Sequence, residues 1–135
     1  MAALDTNVLV RFLVHDDTAQ LAAAEKLFRR CVEADETLFV PITVTLELEW
    51  VLRSAFGFDK AAVLRTLSQL LSSFELCFEA ESALEVALVH YGRSTAEFSD
   101  CLHVALAALA GEQPLWTFDK AASKVEGARL LAARL

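Results

Sequence analysis

The sequence predicts an α/β fold, a three-layer α/β/α sandwich built on a mainly parallel sheet of four or five strands. Short apolar runs at 2–4, 37–40, 74–78 and 114–118 alternate with longer segments whose apolar positions recur at helical spacing. Such alternation indicates parallel strands joined by right-handed helical crossovers, with helices on both faces of the sheet. A chain of 135 residues has the length of one domain, so we expect a single domain over 1–135.

The first strand leads into a helix, because the apolar side chains of residues 6–14 fall on one helical face. A second helix begins at Asp17, which has the position of an N-cap with Gln20 three residues later, and it continues to about Ala34. The second strand then follows and ends at Pro41, which lacks the backbone N–H that a strand interior needs.

The middle of the chain repeats this order. A helix over 44–56 is closed by Gly57, and Asp59 caps the next helix, which leads into the third strand at 74–78. Ser82 opens a capping-box pattern for a further helix.

The last part of the chain contains the most apolar helix. The Ser82 helix is expected to end at Gly92, and the most apolar helix then covers 98–111. The fourth strand follows at 114–118, and a weak edge strand is expected at 128–131.

Composition restricts the class of protein. Hydrophobic residues make up 56% of the chain and the mean hydropathy is +0.42, more than a monomer of this size needs for its interior, so we expect some apolar surface to face a partner. No run of about 18 apolar residues predicts a membrane helix, and the first residues lack the basic leader of a secretory signal. A cytoplasmic location is expected.

The net charge of −7 argues against a protein that binds nucleic acid over a broad basic face. A nucleic-acid substrate remains compatible with this charge, because a bound metal ion can supply local positive charge. The three cysteines, Cys31, Cys77 and Cys101, lie in apolar segments without a CxxC motif and are interpreted as reduced core residues.

Four acidic residues lie where an apolar run passes into a turn or a helix: Asp5, Glu47, Asp100 and Asp119. Asp5 and Asp119 directly follow the first and fourth strands, at the sheet edge where α/β proteins bind ligands. Two carboxylates about 5 Å apart repel by roughly 3 kcal/mol at an effective dielectric near 20, so a shared pocket needs protons or a cation. Oxygen ligands of this kind suit Mg²⁺.

Each acid also has a structural interpretation when taken alone. Asp5 and Asp119 have the positions of helix caps or turn residues, and Asp100 can complement a helix dipole. Glu47 in an amphipathic helix is typical of a solvated face. The joint arrangement of the four favours a metal site.

Four motifs in order carry a resemblance to a known family. They are Asp-Thr-Asn (5–7), Glu-Leu-Glu-Trp-Val-Leu (47–52), Phe-Ser-Asp (98–100) and Thr-Phe-Asp-Lys (117–120). Over nearly its full length the chain resembles the PIN-domain ribonucleases, and among them the small single-domain toxins of VapBC type. Each motif is weak alone, whereas four at family-like spacing form a strong signal.

The resemblance implies a Mg²⁺- or Mn²⁺-dependent endoribonuclease that cleaves RNA phosphodiesters with metal-activated water. It implies that Asp5, Glu47, Asp100 and Asp119 are the catalytic and metal-binding residues, with Asp5 and Asp100 best suited to direct ligation. It also implies a toxin with a VapB-type antitoxin partner and a homodimeric state. The alternative is a catalytically inactive PIN-like module that acts in complex assembly.

Three further residues receive supporting roles. Asn7 is expected to orient the Asp5 carboxylate, and Thr117 to hydrogen-bond a water or a phosphate oxygen. Lys120, next to Asp119, is the cation best placed to meet RNA phosphates.

Other acids and His103 are interpreted as structural. Glu97 completes a capping-box pattern with Ser94, which is favoured over a further acid at the site rim. Glu49, two residues from Glu47, should face another side of its helix, and His103 is more typical of a neutral core or surface histidine than of a ligand to a hard metal.

Two other classes of similar size are disfavoured. A phosphorelay receiver domain needs an acidic pair after its first strand and an aspartate after its third, where this chain offers only glutamates. A phosphatase with an aspartyl nucleophile needs Asp-x-Asp, whereas the third residue of the motif here is Asn7.

Overall fold

Strands and helices alternate in the predicted order in the computed structural model, which describes residues 2–132. The elements are β1 (Ala2–Ala3), α1 (Thr6–Val14), α2 (Thr18–Glu33), β2 (Leu38–Val40), α3 (Ile42–Ser54), α4 (Lys60–Leu71), β3 (Leu76–Phe78), α5 (Glu81–Arg93), α6 (Phe98–Leu109), β4 (Leu115–Thr117), α7 (Lys120–Ser123) and β5 (Ala128–Leu130). They fall into two compact units, Met1–Glu79 and Ala80–Leu135, which we call unit 1 and unit 2.

Unit 1 is built on a parallel three-stranded sheet in the order β1, β2, β3. Ala2 of β1 pairs with Leu38 of β2, which in turn pairs with Leu76 of β3. The central strand is the most buried, since Leu38 and Val40 are almost inaccessible to solvent. Two helices connect each strand to the next, which gives the crossovers that parallel pairing requires.

Unit 2 combines the packed helices α5 and α6 with a parallel pair of short strands, β4 and β5. The Tyr91 and Phe98 rings meet edge to face with centroids 5.5 Å apart. Gly127 directly precedes β5 and has φ +102°. A Cβ at this position would lie 3.0 Å from the Val104 side chain. A glycine is therefore required at this position both by the backbone conformation and by the close approach of α6.

The α/β class and the parallel pairing predicted from the sequence are confirmed. The strand positions are also as predicted, but within residues 2–132 the hydrogen bonds divide the strands into sheets of three and two rather than one sheet of four or five. Strand positions can be read from apolar runs, whereas the partners of each strand depend on contacts distant in sequence. A single domain over 1–135 stays a prediction.

Two of the predicted helix caps are confirmed. The Asp17 carboxylate accepts a hydrogen bond from the backbone N–H of Gln20 at 3.0 Å, and that of Asp59 accepts one from Ala62 at 2.8 Å. The Gln20 side chain does not complete a capping box, because its Oε1 accepts a hydrogen bond from Nε of Arg11 at 2.6 Å.

The predicted start and end of the fifth helix are wrong. Ala80, at φ +56°, is the N-cap residue, and its carbonyl accepts the first helical hydrogen bond from Leu84 at 3.0 Å. Ser82 therefore lies inside α5 rather than before it. The helix also continues through Gly92 to Arg93.

The cysteine prediction is right for two residues of three. Cys31 and Cys101 are buried, but Cys77 is exposed, and none of them forms a disulfide. Cys77 lies between two buried residues of β3, and successive side chains of a strand point to opposite faces. In the part of the chain that the structure describes, no helix has the length and apolarity to cross a membrane.

The close approach at Gly127 gives a stability prediction. Gly127→Ala should lower the free energy of unfolding by about 2–3 kcal/mol, because the new methyl group meets Val104 in a backbone conformation that L-residues rarely adopt. Gly57→Ala is the matched control, since Gly57 has φ +69° and nothing lies within 4 Å of the added Cβ. Urea denaturation of both variants should show the larger loss at position 127. Equal losses would mean that the contact with α6 adds nothing.

Candidate functional site

Asp5 lies between β1 and α1 and is the N-cap of α1. Its backbone is extended, with φ −83° and ψ 159°, and its Oδ1 accepts a hydrogen bond from the backbone N–H of Thr6 at 2.8 Å. The residue is exposed. The helix start thus holds one carboxylate oxygen of Asp5 and leaves Oδ2 available to a ligand.

Thr6 is the buried neighbour of this carboxylate. The residue is 1% exposed, and its Oγ1 has no hydrogen-bond partner among residues 2–132. A buried hydroxyl without a partner costs about 1–3 kcal/mol. The residue next to Asp5 therefore has a hydroxyl group that makes no hydrogen bond with the described residues.

Glu47 is the sixth residue of α3 and is exposed. Pro41, at the N-cap position of this helix, provides no side-chain hydrogen bond to the helix start. Instead, Oε1 of Glu79, at the end of β3, accepts a hydrogen bond from the backbone N–H of Ile42 at 2.8 Å. Sequence reasoning missed Glu79, and the available signal was a helix start without its own capping side chain.

Glu49 faces a different side of α3 from Glu47, as predicted. Two residues correspond to a rotation of about 200° around a helix. Glu49 is 2% exposed, and its carboxylate is paired with Arg53 one turn later through two hydrogen bonds, Nε to Oε2 and Nη2 to Oε1. This acid has a cation at its side and is not a candidate metal ligand.

Asp100 is the third residue of α6 and lies in its first turn. The buried side chains of Phe98 and Cys101 anchor this turn in the interior of unit 2. Asp100 itself is half-buried and makes no hydrogen bond or ion pair with the described residues. Its position near a helix start is the predicted one, and an anion there is favoured by the helix dipole.

The capping box predicted from Ser94 and Glu97 is wrong. Helix α6 begins at Phe98, so Glu97 occupies the N-cap position, where its side chain makes no capping hydrogen bond. Ser94 ends α5, and its Oγ accepts a hydrogen bond from the backbone N–H of Ala96 at 3.3 Å. The Ser94–Glu97 segment therefore forms a tight turn between α5 and α6 rather than a helix start.

Asp119 follows β4 and is the N-cap of α7. Its Oδ1 accepts a hydrogen bond from the backbone N–H of Ala122 at 2.8 Å, and its own backbone N–H donates to Oγ1 of Thr117 at 3.0 Å. Asp119 is exposed. Thr117 thus fixes the turn that presents Asp119, and its predicted contact with a water or phosphate stays a prediction.

The other two supporting residues are both exposed. Asn7 lies in the first turn of α1, and the described structure contains no hydrogen bond from it to Asp5, whose observed donor is Thr6. Lys120 is the first residue of α7 and makes no ion pair with the described residues. The roles predicted for Asn7 and Lys120 stay predictions.

The four predicted acids share one electrostatic property. Asp5 and Glu47 belong to unit 1, and Asp100 and Asp119 to unit 2. None of them has a salt bridge to a described Lys, Arg or His, unlike the acids that pair with Arg11 and Arg53. Carboxylates that lack a cationic partner and are at least partly accessible to solvent are suitable oxygen ligands for Mg²⁺ or Mn²⁺.

Within either unit taken alone, the described residues include no group of three Asp, Glu, His or Cys side chains that could hold a metal ion. His103 is exposed on α6, as expected for a surface histidine. That the four acids share one ion therefore stays a prediction. Its support is the oxygen-only chemistry of the donors and their lack of cationic partners.

Comparisons with known proteins cover the same positions. The family model of the PIN domain matches residues 2–128, which include all four acids. The chain is also similar to a VapC ribonuclease of Aquifex aeolicus (strain VF5), with 25% identity over 125 residues that cover 93% of this chain and 92% of the relative.

The unpartnered Thr6 hydroxyl gives a prediction for the metal-free protein. Thr6→Val removes Oγ1 and keeps the shape, so it should leave the free energy of unfolding unchanged or raise it by about 1 kcal/mol. Thr45→Val is the matched control, because Thr45 is equally buried but its hydroxyl donates to the Pro41 carbonyl. That variant should lose about 1 kcal/mol. Urea denaturation in EDTA compares the two, and a loss at position 6 as large as at position 45 would contradict the assignment.

Proposed function

The chain belongs to the PIN-domain family, and on that premise we propose that it is a metal-dependent endoribonuclease, the toxin of a type II toxin–antitoxin pair. Similarity to a VapC ribonuclease over 93% of the chain supports this activity. The observation that carries the proposal is that all four motif carboxylates lie in the range that the family model matches, with Asp5, Asp100 and Asp119 at helix starts.

Asp5, Glu47, Asp100 and Asp119 would hold Mg²⁺ or Mn²⁺ in this proposal. When bound, the ion supplies positive charge for the phosphodiester oxygens and activates water. The backbone N–H of Thr6 fixes Oδ1 of Asp5, so that Oδ2 is left for the ion. Oδ1 of Asp119 accepts a hydrogen bond from the backbone N–H of Ala122, three residues later, so its Oδ2 is also left for the ion.

The remaining residues would position the substrate. Lys120, exposed beside Asp119, can attract a phosphate oxygen as a point charge. Thr117 keeps the turn before α7 in place through its hydrogen bond to the Asp119 backbone. The Asp100 carboxylate has no hydrogen-bond partner among the described residues, so both of its oxygens are available to the ion.

The proposed partners are an RNA substrate, a VapB-type antitoxin and a second copy of the chain. The exposed apolar surface supports protein partners, because large hydrophobic side chains are numerous on it. In the described part of the chain these include Val32, Trp50, Phe74, Val86, Val89 and Leu109. A cytoplasmic location is proposed with this assignment.

The proposal predicts that the purified protein cleaves RNA with Mg²⁺ or Mn²⁺ and stops when EDTA is added. Asp5→Asn and Asp100→Asn should each lower the rate by at least about a hundredfold. Asn remains a good N-cap, so the first variant should keep its stability. Asp35→Asn is the control: Asp35 is exposed in a turn at φ +54°, which Asn also adopts, and its rate should equal that of the unmodified protein.

Gel analysis of RNA fragments measures these rates, and circular dichroism checks that each variant is folded. Cleavage by Asp5→Asn at the rate of the unmodified protein would refute the assignment. The alternative function, an inactive module for complex assembly, predicts no cleavage with either metal and no difference between the Asp5 and Asp35 variants. Sequencing of RNA ends after expression of active and Asp5→Asn protein would identify the cleaved sites.

A further inference from the structure

The strand pair of unit 2 displays two large aromatic side chains to solvent. Trp116 in β4 is 53% exposed, and Phe118, the first residue after β4, is 67% exposed. Trp116 lies in β4 and Phe118 lies in the bend that follows it, two residues later. The chain thus exposes a tryptophan and a phenylalanine close together in sequence, and both rings are available to a flat aromatic ligand.

An arginine lies over the first of these rings. Trp116 is the register partner of Arg129 in β5, and the guanidinium carbon of Arg129 lies 5.6 Å from the centroid of the Trp116 ring. Cation–π attraction holds such a pair together. The pair combines a stacking surface with a charge that attracts phosphate.

The surrounding charge is opposite in sign to that of the whole chain. Residues 115–132 contain three cations, Lys120, Lys124 and Arg129, against the two acids Asp119 and Glu126, in a chain whose net charge is −7. Lys120 and Lys124 are exposed and make no ion pair with the described residues. A local excess of cations beside exposed aromatic rings is typical of sites for single-stranded nucleic acid.

We propose that Trp116 and Phe118 stack bases of single-stranded RNA, with Arg129 extending the stacking surface and Lys124 binding a backbone phosphate. This rests on the proposed function, since it names the residues that would hold the substrate of that site. Trp116 precedes Asp119 by only three residues, so the two lie within about 10 Å along the chain. Neighbouring nucleotides of one strand can therefore reach both.

A protein partner is the competing occupant of this surface, which we call the aromatic patch. Leu130 and Leu131 are also exposed nearby in sequence, and a second copy of the chain could cover them. Lys120 and Lys124 favour RNA, because lysine is depleted at protein interfaces, whereas phosphates require cations.

Tryptophan fluorescence tests the proposal directly, because the chain has two tryptophans, Trp50 and Trp116. The parent protein carries Asp5→Asn, to prevent cleavage, and is titrated with single-stranded oligoadenylate of about twelve nucleotides in Mg²⁺. Trp50→Phe leaves Trp116 as the reporter, and its emission should be quenched by stacked adenine. Trp116→Phe leaves Trp50, whose emission should stay unchanged.

Affinity measured by anisotropy of a labelled oligonucleotide gives the second readout. Trp116→Ala and Phe118→Ala should each raise Kd by about fivefold to about a hundredfold, the range found for loss of one stacked base. Lys124→Gln should reduce the slope of log Kd against log salt by about 0.7. Phe74→Ala is the matched control, because Phe74 is 94% exposed but is not part of the β4–β5 strand pair, and it should leave Kd unchanged.

The outcomes separate this inference from the proposed nuclease activity. Unchanged Kd values for the Trp116 and Phe118 variants would overturn it, even if the unmodified protein cleaves RNA. A change from dimer to monomer by light scattering, with unchanged RNA affinity, would also overturn it and assign the aromatic patch to a contact between copies. Quenching of Trp116 in a protein that cleaves no RNA would support stacking while the proposed function fails.

Discussion

The backbone N–H groups at two helix starts each hold one oxygen of an aspartate, and the proposed chemistry depends on the oxygens that remain. Asp5 and Asp119 both follow a β-strand and both cap the helix after it. The two acids are more than a hundred residues apart in sequence, and they are held differently: Asp5 accepts from the N–H of the next residue, Thr6, and Asp119 from that of Ala122, three residues later. A capping hydrogen bond restricts the carboxylate to one orientation. The side chain therefore loses less conformational entropy when a ligand binds.

Two acids of this chain form ion pairs with arginine, whereas the four motif acids form none with the described residues. Glu49 is buried and Asp16 is exposed, but each is next to an arginine, Arg53 or Arg11, so its negative charge is balanced within the protein. The four motif acids have no such neighbour among the described residues. A carboxylate without an ion pair is available to an external cation, but most acids among residues 2–132 share this property. The four motif acids are candidate ligands because of their positions, since Asp5, Asp100 and Asp119 lie at helix starts and all four lie in the range that the family model matches.

Features set by local sequence signals were predicted correctly, whereas features that depend on contacts distant in sequence were not. The caps Asp17 and Asp59 follow from the pattern within one helical turn, and so does the position of Asp119 after β4. The cap that Glu79 supplies to α3 comes from 37 residues away, and the pairing of Trp116 with Arg129 needs the register of two strands, so neither could be read from the sequence. The exposure of Cys77 was missed although the sequence contains the signal, since Cys77 alternates with the buried Leu76 and Phe78 along β3. For the site, the sequence indicated the four acids and the element ends that carry them, and the family match adds the context in which they act.

Titration of Mn²⁺ by calorimetry, with the four acids neutralised one at a time, tests most directly whether residues from both units serve one ion. The account predicts that the unmodified protein binds Mn²⁺ and that Asp5→Asn, Glu47→Gln, Asp100→Asn and Asp119→Asn each weaken binding by at least about tenfold, with Asp35→Asn unchanged. Absence of binding heat at several temperatures would contradict it. So would a loss confined to Asp5 and Glu47, or to Asp100 and Asp119, because a shared ion must respond to both pairs.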